Sequence, residues 1–308
     1  MFAGVEIMSV KVFWRPESFN LDQIGAKRLV DISDGDTPNI RMNVRMLSID
    51  TPETSTMQLK KAEMAHHFIA LADWIDSGKS PVAQVLAGHL LPRIKRADGQ
   101  DPFEVHMAQG KQATQAFEAL TQARLKRLSG TNRPMFVRIA DQPFDGYGRL
   151  LAYVAPEYTA AERQGMSRRD RATFNLDMVA LGWAATFVIY PSIPNEIDLP
   201  MLQGEAQKAV QQGLGTWADP WCLTGYEYRM CTKLIKLMLK VKAGAKLGLG
   251  ERTGWVDRYC VDISTARLYG PQDYVKVEPW NRLFIWPKDV RKAVADLNLE
   301  PAGSIAGT

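Results

Sequence analysis

Asp34-Gly35-Asp36-Thr37, then Arg45, then Ile49-Asp50-Thr51-Pro52-Glu53 set several carboxylates and one guanidinium into a single short stretch of a 308-residue chain. Carboxylates this dense repel one another in a folded domain. A positive group is therefore expected among them, and a hard cation bound by oxygens is the natural candidate. Arg45 carries a rigid fork that suits a phosphate. A cation, a carboxylate that orients or deprotonates water, and arginines for the charge building on phosphorus are the parts of a metal-assisted attack on a phosphodiester. A second arginine arrives in Tyr147-Gly148-Arg149-Leu150-Leu151-Ala152-Tyr153. Each piece alone has a plainer reading. Asp34-Gly35-Asp36 is then a β-turn, Asp50 to Glu53 a helix start capped by Thr51 with Pro52 in first position, and Arg149 a surface charge. Order, spacing and the flanking apolar pattern together favour the chemical reading.

The succession DGDT, an arginine one strand later, DTPE and then YGR resembles the signature of the staphylococcal nuclease-like (thermonuclease) family. Asn175-Leu176 through Leu181-Gly182-Trp183-Ala184 is similar to the family's short helix and following strand, which ends here at Tyr190. Glu205-Ala206-Gln207-Lys208-Ala209 through Gly213-Leu214-Gly215-Thr216-Trp217 is similar to its last helix and closing tryptophan. The resemblance runs over roughly residues 22 to 218, with interruptions.

It implies an α+β fold, an OB-fold five-stranded β-barrel with packed helices. It also implies calcium-dependent hydrolysis of phosphodiester bonds in DNA, RNA or both, by an activated water and leaving 3′-phosphates. Carried over by position, Asp36 and Asp50 become the metal carboxylates, with the Thr51 backbone carbonyl as a further oxygen ligand. Glu53 orients or deprotonates the attacking water, Arg45 and Arg149 hold the phosphate, and Tyr147 and Tyr190 contact substrate. There are departures. Val188 stands where the family has the first of two pocket tyrosines, and Gly146 where it has a lysine. The stretch between Asp36 and Arg45 is short and contains Pro38, which has no N–H for a sheet ladder.

Composition sets wide bounds. A formal net charge of +4 permits a polyanionic partner without requiring one. No run of apolar residues is long enough to span a membrane. The opening MFAGVEIMSVKVFW has Glu6 inside its only apolar run and no basic lead, so it makes a poor signal peptide and the expectation is a cytoplasmic chain. Cys222, Cys231 and Cys260 match no zinc spacing and are expected as buried thiols.

Along the chain, Ala26 to Ile32 and Asn43 to Ile49 read as strands leading into the acidic motifs. Helical spacing runs over Thr54 to Ile75, stopped by Gly78, over Val82 to Leu91 before Pro92, and over Lys111 to Leu128 with Gly130 as cap. Residues 55 to 108 exceed what the family carries there, as a helical insertion. Met135 to Ala140 and Leu150 to Val154 read as a hairpin. The basic loop Gln164 to Arg171 looks like an insertion, either a solvated surface or a substrate contact. A boundary is expected at Ala218-Asp219-Pro220, giving a nuclease-like domain at 1–219 and a small α/β accessory domain at 220–308. In the latter, Arg229, Lys233, Lys236 and Lys240 line one side of a helix over Tyr226 to Val241, with β-like segments at Val256 to Ile263, Tyr274 to Glu278 and Leu283 to Trp286. The rival to a nuclease is a non-catalytic nucleic-acid-binding OB module. A protein-interaction scaffold rests only on the C-terminal region.

Overall fold

In the computed structural model, which describes residues 25–302, the acidic turn closes a hairpin of its own. Strands β1 (Arg28–Asp34) and β2 (Thr37–Arg41) pair antiparallel with Asp34 opposite Thr37, leaving Gly35 and Asp36 as the turn. Both strands are exposed throughout and make a separate two-stranded sheet. Pro38 is tolerated there because such a sheet has only edges. The opening stretch read for a signal peptide lies outside the described residues.

Where one strand was expected from Asn43 to Ile49, there are two, β3 (Val44–Met46) and β4 (Ser48–Asp50), in different sheets. The break falls at Ser48, whose φ of 61° turns the chain from one sheet into the next. The helix expected from Thr54 is delayed, because left-handed backbone at Met57 and Gln58 (φ 52° and 68°) interrupts it. Helix α1 (Met64–Asp76) then buries Met64, Phe68, Leu71, Ala72 and Ile75. Gly78, with φ of 68°, ends it by donating its N–H to the Ile75 carbonyl. Helix α2 (Gln84–Ile94) continues past Pro92 and buries Leu86, Leu90 and Ile94. Helix α3 (Pro102–Leu125) begins well ahead of Lys111, since the Asp101 carboxylate accepts from the Phe103 N–H and Pro102 occupies the first turn. Leu128, expected on its apolar side, lies past its end and is exposed.

The expected hairpin is β5 (Met135–Phe144) with β6 (Leu150–Pro156). It joins β3 in a three-stranded sheet of order β3-β6-β5, with Arg45 opposite Leu151. Helices α4 (Ala160–Arg163) and α5 (Phe174–Ala180), strand β7 (Ala185–Ile189) and helix α6 (Asp198–Gln211) follow. Beyond Pro220 come α7 (Gly225–Lys242), α8 (Leu249–Thr253), β8 (Tyr259–Asp262), β9 (Arg267–Tyr269), β10 (Arg282–Ile285), α9 (Val290–Leu297) and β11 (Glu300–Pro301). The segment expected as a strand at Tyr274 to Glu278 is a single 3-10 turn over Tyr274–Lys276.

Strand β10 lies parallel to β7, so the sheet carrying Asp50 runs on into the C-terminal region in the order β11-β9-β8-β10-β7-β4. The chain is thus α+β. Among the described residues its strands form three sheets, and no single five-stranded closed barrel joins them. Two apolar cores hold the elements together, and both draw on residues from either side of Asp219. One packs Met64, Phe68, Leu90 and Phe103 against Tyr226, Met230, Leu234 and Phe284. The other packs Ile49, Met178, Val188 and Leu202 against Val261, Leu283, Ile285 and Ala293. Each such side chain contributes about 1.5–3 kcal/mol when fully buried, so the C-terminal region and helices α1 to α3 stabilise each other.

Candidate active site

Strand β4 ends on Asp50, whose side chain is only 2 % exposed. A buried carboxylate must be neutralised or it forfeits several kcal/mol. Two guanidiniums do this. Arg229 of α7 donates Nη2 to Oδ2 at 2.9 Å and Nη1 to Oδ1 at 3.1 Å, a two-pronged contact, and Arg45 of β3 donates Nη2 to Oδ1 at 2.9 Å. Burial by itself would raise the Asp50 carboxyl, but Arg229 and Arg45 outweigh it and hold the group below its ordinary value. The Arg229 Nη1 also donates to Glu53 Oε1, so one guanidinium bridges the two acids. Burial opposes the charge on Arg229, and Asp50 and Glu53 more than restore it, raising its pKa. The positive group expected among the acids is therefore, in this arrangement, a pair of arginines.

Two helices position the loop after Asp50. The Glu53 N–H donates to His106 Nε2 of α3 at 2.9 Å. That ring stacks on Tyr228 of α7 at 4.1 Å between centroids, and the Tyr228 hydroxyl donates to the Ser55 carbonyl at 3.0 Å. Burial pushes His106 down to about 4, so it is neutral near pH 7 and its Nε2 is free to accept. Two glycines allow the close approach. A Cβ on Gly110 would stand 2.5 Å from the Glu53 carbonyl oxygen, and one on Gly225 would stand 2.4 Å from the Thr51 carbonyl oxygen and 2.6 Å from Asp50 Oδ2.

The remaining expected residues are placed elsewhere. Asp36 sits in the exposed turn of the first hairpin, where its Oδ1 accepts from Thr37 Oγ1 at 3.2 Å and its N–H donates to Asp34. Arg149 is clamped in its own turn by Asp145, which accepts from its Nε at 2.7 Å and from its backbone N–H at 3.0 Å. Burial would raise the Asp145 carboxyl, and the Arg149 contacts together lower it. The Arg149 guanidinium lies 5.4 Å from the centre of the Tyr147 ring, and Tyr147 is 85 % exposed. Tyr190 is buried, with its hydroxyl donating to Asp296 and accepting from Lys292 Nζ at 3.0 Å, both on α9. Val188 lies in the core.

The structure thus brings Arg45, Asp50, Thr51 and Glu53 together and leaves Asp36, Arg149, Tyr147 and Tyr190 apart from them. It adds Arg229, His106 and Tyr228. Arg229, grouped with Lys233, Lys236 and Lys240 as a basic face, instead points into the acids. Its neighbours Tyr228, Met230 and Cys231 are the signal for this, since a charge flanked on both sides by large apolar residues is seldom buried without a partner. The three cysteines are buried thiols, and burial pushes Cys222 and Cys260 up to about 12.

Calcium takes six to eight oxygens. As arranged, the residues do not fit it: both Asp50 oxygens are engaged by guanidiniums, the Thr51 carbonyl packs on Gly225, and Asp36 is on another sheet. Among the described residues no group of three or more His, Cys, Asp or Glu side chains gathers in a way that could hold a metal ion. Among the described residues the Arg45 side chain makes its contacts through Nη2 alone, to Asp50 and to the Ile49 carbonyl, and it is 28 % exposed. Its Nε and Nη1 remain available to a phosphate oxygen.

Among the described residues no helix is long and apolar enough to cross a membrane. No curated protein matches the chain significantly. The family model of staphylococcal nuclease homologues matches residues 43–219, from the residue before β3 to Asp219 at the end of the first region. With the strands of Arg45 and Asp50 and the turn of Arg149 inside a match over more than half its length, the chain belongs to the staphylococcal nuclease homologue family.

Proposed function

We propose that this chain hydrolyses phosphodiester bonds of DNA, RNA or both, with water as the attacking group. The observation that carries this reading is the joining of Arg45, Asp50 and Glu53 at the end of β4, within the matched span. Glu53 orients or deprotonates the water. Arg45 receives a phosphate oxygen through its uncommitted nitrogens and stabilises the charge that builds in the transition state. Asp50 holds Arg45 in place. Arg149 and Tyr147, at an exposed hairpin tip, offer a second guanidinium and a hydroxyl to the same strand. Tyr190, whose hydroxyl is engaged by α9, is given no step in this reading. The OB-like β-barrel of the family remains the fold proposed for the matched region. Calcium is the ion the family resemblance implies, and it would supply charge neutralisation and a polarised water. Since the ligand set does not fit it as arranged, hydrolysis is assigned to the chain's own groups.

A second reading is favoured by one observation: Arg229 saturates Asp50 and occupies Glu53. It is a nucleic-acid-binding module that does not cut. Incubating purified protein with single- and double-stranded DNA and RNA, in calcium, magnesium or chelator, separates the two. Breakdown of any substrate supports the nuclease; retarded but intact nucleic acid under every condition supports the module.

A further inference from the structure

A cavity of about 670 Å³ opens beside the site. Its lining includes Phe136 and Arg138 of β5, Tyr153 of β6, and Arg163, Arg168 and Arg171 from the basic loop and its flanks. Two acids, Glu157 and Asp198, also line it, so four guanidiniums face two carboxylates. Arg168 is committed to Asp198 through two hydrogen bonds of 2.8 and 2.7 Å. The other three are not. The Arg171 guanidinium donates only to the Ser167 carbonyl, at 3.3 Å, and the Arg138 and Arg163 guanidiniums have no hydrogen bond or ion pair among the described residues. All three are exposed. Free arginines that gather at a concave surface without carboxylate partners raise the local positive potential and attract a polyanion. Phe136 is half exposed and stacks on no other ring among the described residues.

The cavity adjoins the strands of the site. In its lining the Tyr153 and Ser48 hydroxyls lie 2.6 Å apart, and Ser48 is two residues before Asp50 on β4. Arg45 pairs with Leu151, and Tyr153 follows Leu151 on the same face of β6. The cavity and Arg45 thus share one face of the β3-β6-β5 sheet.

We infer that this cavity is a second contact for single-stranded nucleic acid, with Arg138, Arg163 and Arg171 on successive phosphates and Phe136 stacked on a base. Stacking on a lone exposed ring needs an unpaired base, which favours a single strand over a duplex. The inference rests on the proposed nucleic-acid substrate and names where that strand runs beyond the cleaved bond.

The test uses the full chain and a fluorescein-labelled 12-nucleotide single-stranded DNA, with anisotropy measured across a salt series. Glu53→Gln is present throughout so that the probe stays intact. Adding Arg138→Ala, Arg163→Ala and Arg171→Ala should lower the log–log salt slope by about 2, at roughly 0.7 per lost single-strand phosphate contact. Affinity at low salt should fall at least about tenfold. Phe136→Ala should weaken binding about fivefold or more and leave the slope unchanged. Arg138→Glu, at an exposed strand position, reads the same contact should the triple variant unfold. A parent that binds with a slope the arginine variants do not alter overturns the cavity site alone. A parent that does not bind the probe overturns both this inference and the proposed function.

Discussion

Asp50 stays charged inside the protein because two guanidiniums surround it, and the more tightly held of them comes from outside the matched family span. Arg229→Ala leaves that carboxylate with Arg45 alone and leaves Glu53 without its partner. The expected cost is about 3 kcal/mol, read from the urea midpoint, with Arg229→Lys intermediate because it keeps charge but loses the fork. A variant as stable as the parent would show that the bridge contributes nothing. On the catalytic side, Arg45→Lys should lower turnover about a hundredfold with a modest change in substrate affinity, since the role proposed for it is in the transition state. A mild effect would count against phosphate contact by the guanidinium fork.

The elements on either side of the acidic loop are tuned to hold it. His106 of α3 is neutral in the fold, with its pKa pushed from 6.5 to about 4, so the unfolded chain binds the proton first as pH falls. Stability is therefore expected to decline between about pH 6.5 and 4, by up to ~3 kcal/mol from this residue, and to be insensitive to it above. His106→Phe keeps the stack on Tyr228 and should flatten that part of the stability profile. An unchanged profile would assign the dependence to other groups. At the start of α7, Gly225→Ala would drive a methyl into Asp50 and Thr51, costing about 1–3 kcal/mol and disturbing activity more than a surface change does. Much of this level was legible in the sequence. The buried face of α1, the solvent side of α7 at Lys233 and Lys240, the Gly78 stop and the β5–β6 hairpin follow from periodicity and turn chemistry. The split of β3 from β4 did not, because it depends on left-handed backbone at Ser48, a residue type with no such preference. Nor did the pairing of Arg229, since helical spacing gives a face but not what the face meets.

At the scale of the whole molecule, the motifs identified the family and ordered the acids, while the C-terminal region had no pattern to compare. Its role emerges from packing: β10 extends the Asp50 sheet, and both cores cross Asp219. A chain truncated after Pro220 is expected to lose cooperative unfolding, because more than half of one core and nearly a third of the other would be stripped away. A truncated protein with a sharp thermal transition would instead make residues 1–219 a domain in its own right. The proposed nuclease activity stands on cleavage at the end of β4. Its most direct measurement compares the parent and Glu53→Gln on single-stranded DNA and RNA, scoring cleavage rate and binding in the same samples. The account predicts that the parent cuts and that Glu53→Gln cuts at least about a hundredfold more slowly while binding within a few-fold of the parent. A parent that binds without cutting, or a Glu53→Gln variant that cuts at the parent's rate, would contradict it.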